Sequence, residues 1–272
     1  GVRITKSVWP LAPQGPANMP GSTLAEPDYL AFVRDLQAQG FEIGFHNAAP
    51  EDCPRERTAA GIERFLELLG AEPKVHANHL NNRENLYWGA ARLRGWGPRT
   101  LYRLAMLGKP RRFEGHEPDS PYFWGDLCRQ HIRYVRNFAF DGLDARAANP
   151  TLPYHDPAKP YVNAWFSSAE GANVDSFCAA LAPEHLDRLE ADGGVCIMYT
   201  HLANGFAADG TVDGRFRRCM EGLAARNGWF VPVGALLDWL CEHGGGGGEI
   251  PRGELAAMER RWIRQKLRRG TT

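Results

Sequence analysis

Short apolar runs alternate along the chain with longer stretches in which apolar residues recur every three or four positions. The short runs have the length of buried strands, whereas the longer stretches are typical of helices with one apolar face. The runs that predict strands are VRITKSVW (2–9), FEIGF (41–45), KVHANH (74–79), YVRNFAF (134–140), YVNAWF (161–166) and VCIMYTH (195–201).

Proline and glycine mark the ends of the predicted helices. Pro27 suits the first turn of a helix that ends near Gly40, and Pro54 precedes a second helix that ends near Gly70. Further helices are indicated by Pro183 with Leu186 and Leu189, by Phe216, Met220 and Leu223, and by Leu236, Leu237 and Leu240. Strands that alternate with helices predict an α/β fold with a largely parallel sheet. Closed as a barrel, such a sheet places its chemistry at the C-terminal ends of the strands.

Two segments depart from this alternation. Residues 141–160 form a proline-rich stretch without helical or strand periodicity, and a long loop in a compact domain often serves as a lid. The run over 244–248 consists only of glycine and is typical of a flexible linker. We therefore divide the chain into a domain over 1–243, a linker over 244–248 and a basic helix over 249–272. We expect this helix to dock on the domain or to remain solvated, rather than to pair with another copy or lie on an anionic surface.

Composition excludes some classes of function. The 272 residues carry 32 Lys and Arg against 32 Asp and Glu, so no net charge recruits nucleic acid or an anionic membrane. No long apolar run predicts a membrane span. The six cysteines form no CxxC pair, which argues against a thiolate zinc site and favours free thiols in a reducing compartment. We expect a cytoplasmic protein, although a chain that opens on Gly-Val-Arg without Met says little about targeting.

Three histidines fall at the ends of predicted strands. His46 follows FEIGF, His79 follows KVHAN, and His201 follows VCIMYT. A parallel sheet brings such ends together at one rim, where imidazoles from different strands can surround a metal ion. A single histidine at such a place is more often a structural residue bonded to a carbonyl, but three favour a site. His76 is expected to point away from His79 and to be a core group with a local partner.

Polar residues in aromatic surroundings are candidates for substrate binding. Trp88 in LNNRENLYWG and Trp124 with Asp126 in YFWGD could stack on a sugar ring and bind its hydroxyls. The alternatives are core packing for both tryptophans and a helix cap for Asp126.

Three further residues complete the candidate substrate site. Arg136 lies inside the apolar run YVRNF and needs a partner if it is buried. His155 and Asp156, in YHDP, belong to the proline-rich loop and would contribute to the site if that loop is a lid. A turn before Pro157 is the alternative for these two residues.

These segments resemble a known family. GFEIGFHN resembles the GHEIGxH segment of the NodB-type polysaccharide deacetylases, and VCIMYTH resembles their late strand that ends in Leu-x-His. WFVPVGALLDWL (229–240) resembles their closing strand and helix, so the resemblance spans about residues 2–240. It implies an irregular parallel (β/α) barrel, here without its first strand and with an added C-terminal helix. It also implies that His46 ligates a metal and that His201 protonates the leaving group.

The chain departs from the family at three places. Pro50 stands where a second metal histidine is expected, and Asp52 is the nearest acid, as a substitute ligand or a helix cap. HANH replaces the family's Arg-x-Pro and would supply His79 as the second imidazole. No Asp precedes Asp28, whereas the family's first strand ends in an Asp pair. VRITKSVW resembles the family's second strand, so either the chain is a fragment or its lineage has abandoned the acid pair.

The resemblance implies a metal-dependent hydrolase that removes an acyl group from an N- or O-acylated sugar. A divalent ion, with Zn²⁺ expected, would be held by His46 and His79, and an Asp from the absent strand would act as the base. A hydrolase of cyclic amides or ureides on the same fold is an alternative, and a glycan-binding protein without activity is another. Neither nucleic acid nor a membrane is expected as a partner, and a homo-oligomer is compatible with the sequence.

Overall fold

The computed structural model describes residues 2–105 and 112–269, which form an α/β fold. The main strands are β1 Thr5–Val8, β2 Glu42–Phe45, β3 Val75–His76, β4 Tyr134–Phe140, β5 Ala164–Glu170 and β6 Met198–Tyr199, with a small hairpin of β7 Ala207–Ala208 and β8 Thr211–Val212. The helices are α1 Pro27–Ala38, α2 Arg55–Leu69, α3 Trp96–Ala105, α4 Gly125–His131, α5 Ala145–Ala148, α6 Val174–Ala180, α7 Pro183–Ala191, α8 Gly214–Ala224, α9 Val233–His243 and α10 Arg252–Arg269, with a 3₁₀ turn over Gly89–Arg92.

The main sheet is parallel, and its strands lie side by side in the order of the chain, from β1 to β6. The strands form a half-barrel, which confirms the parallel α/β part of the predicted fold. Because all strands run the same way, their C-terminal ends lie at one edge, which we call the rim. The β4–β5 register shifts between Arg136 and Ala139, so β4 is irregular near that edge.

Each face of the sheet has its own apolar cluster. On the outer face, Val33 of α1 and Ile62 and Phe65 of α2 pack with Phe45 of β2. The crossover helices of a right-handed parallel sheet lie on one side, which places both helices there. On the opposite, inner face, residues of α9 pack against β3, β4 and β5; the cluster includes Val75, Tyr134, Phe166, Leu237 and Leu240. Helix α9 thus covers the inner face below the rim.

Hydrogen bonds and an ion pair hold α9 at the N-terminal ends of the strands. The backbone N–H of Gly234 donates to Glu42 at 2.9 Å, and Lys74 pairs with Asp238 at 2.6 Å. Helix α9 is therefore anchored at the end of the sheet opposite the rim.

Several predicted elements are confirmed. Helix α1 begins at Pro27, and α2 ends at Leu69, directly before Gly70, whose φ of 68° gives the left-handed cap expected of glycine. Strand β4 coincides with YVRNFAF. The predicted closing strand within WFVPV is wrong, because the chain there runs without strand pairing directly into α9. Within 141–160 the chain forms the short helix α5, and Tyr154 pairs with Trp165 in an isolated bridge.

Helix α10 is part of the core. Leu255, Met258 and Trp262 are almost fully buried and belong to the same apolar cluster as Phe138 and Phe45. The preceding glycine run is also held, since the N–H of Gly247 donates to the carbonyl of Pro153. The sequence predicts a basic helix over 249–272, and residues 270–272 of that range lie outside the part of the chain that the structure describes. Among the described residues, no helix has both the length and the apolar content to cross a bilayer.

Candidate functional site

The strand ends bring His46 and His79 into contact at the rim. Side chains alternate between the two faces of a strand, so Gly44 and His46 share the inner face. The imidazole centroids of His46 and His79 lie 4.9 Å apart. The indole of Trp9, which follows β1, stacks on His46 at 5.5 Å and meets His79 edge-on at 4.9 Å. We call Trp9, His46, His79, Tyr199 and His201 the rim cluster.

The tautomer of His46 is set by the neighbouring strand. Its Nδ1 lies 2.7 Å from the carbonyl oxygen of Ala77, which can only accept a hydrogen bond. Nδ1 therefore carries the proton, and Nε2 keeps its lone pair. A metal-ligating histidine commonly donates its other N–H to a carbonyl in this way.

His79 has the same tautomer for a different reason. Its Nδ1 lies 3.1 Å from Oδ1 of Asn82. The Asn82 amide is oriented by its Nδ2, which donates to the carbonyl of Glu51 at 2.6 Å and to the Glu84 carboxylate at 2.9 Å. Nδ1 of His79 must therefore donate. Its Nε2 is buried and has no hydrogen-bond partner among the described residues.

Both imidazoles are uncharged at neutral pH. Burial lowers the pKa of His79 to about 4. Burial, together with the neighbouring His79, lowers the pKa of His46 well below its ordinary value. Two neutral imidazoles with free Nε2 lone pairs are the form in which histidine binds a divalent metal ion.

The rim brings together two candidate metal ligands, His46 and His79. Within residues 2–105 and 112–269, no group of three or more His, Cys, Asp or Glu side chains is placed to hold an ion. His46 and His79 therefore fit two ligand positions. Asp52, the predicted substitute, accepts a hydrogen bond from the N–H of Arg83 at 3.0 Å and is exposed. It makes no side-chain cap on α2.

His201 is paired with Tyr199, two residues earlier. The Tyr199 hydroxyl is hydrogen-bonded to Nε2 of His201, and the two rings lie 4.9 Å apart. The guanidinium of Arg136 lies over the Tyr199 ring, 3.8 Å from its centroid. Burial and, secondly, Arg136 lower the pKa of His201, while His201 in turn lowers that of His79. The three predicted histidines thus interact at one place.

A buried polar network supports the loops after β2 and β3. The Glu84 carboxylate accepts hydrogen bonds from the Asn47 and Asn82 amides and from the N–H of Cys53. Burial raises the pKa of Glu84 to about 7. Asn47 holds a φ of 63°, which asparagine tolerates better than most residues. The sequence prediction missed this role, although the polar run NNREN was a visible signal.

The predicted aromatic residues occupy other places. Trp124 is fully buried, its Nε1 donates to the Glu84 carbonyl, and its ring packs on Phe45 and His76, so it is a core residue rather than a sugar platform. Trp88 is half-buried and carries the Arg92 guanidinium on its ring, 3.2 Å from the centroid. The ring of Trp124 and one face of the ring of Trp88 therefore contact other protein side chains.

Asp126 and the two loop residues also have internal partners. Asp126 forms a two-pronged pair with Arg55 at 2.7 Å and does not cap α4 through its side chain. Asp156 is fully buried and lies 3.6 Å from Lys159. Nδ1 of His155 lies 3.0 Å from the carbonyl of Asn163. Of the six predicted substrate residues, Arg136 contacts the rim cluster, because its guanidinium lies over the Tyr199 ring.

His76 is confirmed as a core group. Its two ring nitrogens lie 3.1 Å from the Phe45 carbonyl and 3.2 Å from Oδ1 of Asn78, and the residue is fully buried. Because the residue is fully buried and protein oxygens lie against both ring nitrogens, His76 is not accessible to a ligand at the rim.

The rim cluster is therefore the candidate site, defined by its own geometry. It combines two neutral imidazoles, an indole and a tyrosine–histidine pair at the carboxyl edge of a parallel sheet, and the half-buried Arg136 stacks on its tyrosine. No family model, curated protein or solved structure matches this chain.

Proposed function

We propose that the chain is a hydrolase that removes acyl groups from a sugar or polysaccharide with the help of a divalent metal ion. The observation that carries the proposal is the contact between the imidazoles of His46 and His79 at the rim, where each Nδ1 faces a protein oxygen and His201 lies nearby. Active sites of parallel α/β proteins form at the carboxyl edge of the sheet. As part of the proposal, we place the half-barrel with the polysaccharide deacetylases, on the strength of its strand order and its strand-end histidines.

Each residue of the rim cluster has a role in this proposal. His46 and His79 would hold the ion, with Zn²⁺ the best match to two imidazoles. When bound, such an ion lowers the pKa of a water ligand and polarises an acyl carbonyl. His201 would pass a proton to the leaving group, and the Tyr199 hydroxyl would orient the imidazole through Nε2. Trp9 would keep water away from both metal-binding imidazoles.

Metal binding tests the first half of the proposal. Equilibrium dialysis of the 272-residue chain against Zn²⁺ should give about one bound ion, which His46→Ala and His79→Ala should each remove. His131→Ala is the matched control, because His131 pairs with Glu72 ahead of β3 and should leave binding unchanged. Equal Zn²⁺ binding by all four proteins would refute the assignment.

Substrate turnover tests the second half. The loaded protein should release acetate from N-acetylated or O-acetylated sugar oligomers, and His201→Ala should lower kcat by about 100-fold, the smaller end of what a general acid contributes. Cyclic imides are screened in parallel. Opening of these rings without release of acetate would replace the proposal with the cyclic-amide hydrolase.

A glycan-binding protein without catalysis is the second candidate. It is favoured by the finding that the described ranges supply two imidazoles and no third metal ligand. Metal-independent binding of a sugar oligomer, with no product released in the turnover assay, would support this function instead.

A further inference from the structure

Arg136 is an ionised side chain within an apolar strand. It occupies the third position of β4, between the buried residues Val135 and Asn137. Its side chain reaches the Tyr199 ring at the rim, 3.8 Å from the ring centroid. Stacking on an aromatic face fixes the plane of a guanidinium and leaves its in-plane N–H groups as the route to an acceptor.

No protein anion neutralises Arg136 in the described part of the chain. It makes no ion pair or hydrogen bond there, and its Nε is buried without an acceptor. Arg133, three residues earlier, pairs with Asp238 at 2.8 Å. The residues outside the described ranges include neither Asp nor Glu.

The titratable groups on which the charge of Arg136 acts are basic. Its charge lowers the pKa values of Arg92, His76, His46 and His201. Glu170 is aligned with Tyr199 at the end of β5, and its charge acts on Lys266 of α10. A half-buried guanidinium in such surroundings is costly unless an anion is supplied from outside.

The place of Arg136 determines what that anion can be. Tyr199 contacts Arg136 through its ring and His201 through its hydroxyl. An anion bound to Arg136 would therefore be separated from His201, the proposed proton donor, by the Tyr199 side chain alone. A single planar guanidinium matches a single planar carboxylate through two parallel hydrogen bonds. A phosphate is usually bound by several cationic or backbone donors.

We propose that Arg136 binds a carboxylate of the substrate, so that the site takes acidic sugars of the uronic-acid class in preference to neutral sugars. The proposal specifies the substrate class of the site and rests on the function proposed above. Arg136 acts here as a specificity residue, because it contacts the carboxylate and not the reacting acyl group.

The preference for acidic over neutral sugars is tested by measuring sugar binding to the metal-free protein, without any reaction. The metal-free 272-residue chain is titrated with glucuronate, with its uncharged methyl ester and with glucose, and binding is followed by protein NMR. Glucuronate should bind at least tenfold more tightly than either neutral sugar. This comparison needs no variant, so it does not depend on how a substitution folds. Equal binding of the acid and its ester would overturn the proposal, as would tighter binding of inorganic phosphate than of glucuronate.

Two variants locate the effect. Arg136→Gln should reduce the preference for glucuronate over its ester to less than twofold. Arg133→Gln, at the residue just before β4 and paired with Asp238, should retain the preference. A preference that survives Arg136→Gln would overturn the assignment to Arg136.

The outcomes also separate this inference from the proposed function. A tenfold preference that depends on Arg136, in a protein that releases no acyl group, would leave the acidic-sugar site standing and refute the hydrolase. Acyl release with equal kcat/KM for acetylated neutral and acidic sugars would leave the hydrolase standing and refute the acidic-sugar site.

Discussion

Asn82 is the residue that sets the chemistry of His79. Its Oδ1 receives the Nδ1 proton of His79 and a second hydrogen bond from the Asn18 amide at 2.6 Å. Its Nδ2 donates to the carbonyl of Glu51 and to the carboxylate of Glu84. The two N–H groups of this buried amide donate and its oxygen accepts two hydrogen bonds, and no other side chain of the same shape can make all four.

We expect Asn82→Asp to destabilise the protein by about 2 kcal/mol or more. The substitution removes both Nδ2 donors and leaves the Glu51 carbonyl and the Glu84 carboxylate facing a third acceptor, in a buried position where unmade hydrogen bonds are costly. Urea denaturation measures the change. Asn204→Asp is the control, since Asn204 is exposed and donates one bond of 3.3 Å, and its substitution should cost under about 0.5 kcal/mol. Equal losses for the two variants would contradict this account.

His116 should make stability depend on pH. Its Nδ1 accepts a hydrogen bond from the N–H of Tyr87 at 3.2 Å, and burial lowers its pKa from 6.5 to about 4. Between these values the unfolded chain binds more protons than the folded one, so stability is lost as the pH falls below about 6.5. For His116 alone the loss between pH 7 and pH 4.5 is about 2 kcal/mol.

The variant His116→Asn should flatten this pH dependence. The Asn oxygen can still accept from Tyr87 but does not titrate, so the loss between the two pH values should shrink by about 2 kcal/mol. Denaturation curves at both pH values provide the measurement. His185→Asn, at an exposed histidine, should leave the pH dependence as it was. An unchanged slope in His116→Asn would show that this imidazole does not control the effect.

At the scale of elements, α2 lies very close to the segment that follows β2. A Cβ added to Gly61 would approach the Cα of Ala48 to 2.9 Å. Gly61 is buried within α2, and Ala48 comes two residues after His46. Glycine therefore lets the helix support the loop that carries a candidate metal ligand.

We predict that Gly61→Ala destabilises the protein although alanine is the better helix former. Overpacking against Ala48 should cost about 1–3 kcal/mol, more than the gain in helix propensity of up to about 1 kcal/mol. Gly222→Ala in α8 is the matched control, because no atom lies within 4 Å of its added Cβ. This variant should be stabilised by about 0.5–1 kcal/mol. Chemical denaturation of both proteins checks the opposite signs.

For the whole molecule, the sequence predicted the elements better than the partners of their side chains. The spacing of apolar residues and the positions of proline and glycine located α1, α2, β4 and the three strand-end histidines, because each depends on residues near in sequence. The contact between Asn82 and His79 depends on the path of the loop after β3. That path includes unusual backbone angles, such as φ 47° at Tyr87, which the sequence pattern does not predict. The prediction of a closing strand was wrong because WFVPV has the composition of a strand but no neighbouring strand with which to pair.

Helix α10 packs against parts of the molecule that are distant in sequence. Trp262 is fully buried, stacks on Tyr102 of α3 at 5.8 Å and packs on Phe138 of β4 at 5.5 Å. It therefore joins the C-terminal helix, a middle helix and the central sheet. Such a residue should stabilise all three together rather than α10 alone.

Trp262→Ala should lower the free energy of unfolding by about 3–5 kcal/mol, the usual cost of emptying a buried tryptophan site. Far-UV circular dichroism and tryptophan fluorescence, followed through the same urea titration, should report one coincident and earlier transition. Trp96→Ala is the control, since Trp96 is 86% exposed and should change stability by under about 0.5 kcal/mol. If instead only a helical fraction melted early, with the rest of the protein unfolding as before, α10 would be an appendage. The rim would then be held by the sheet and its crossover helices alone.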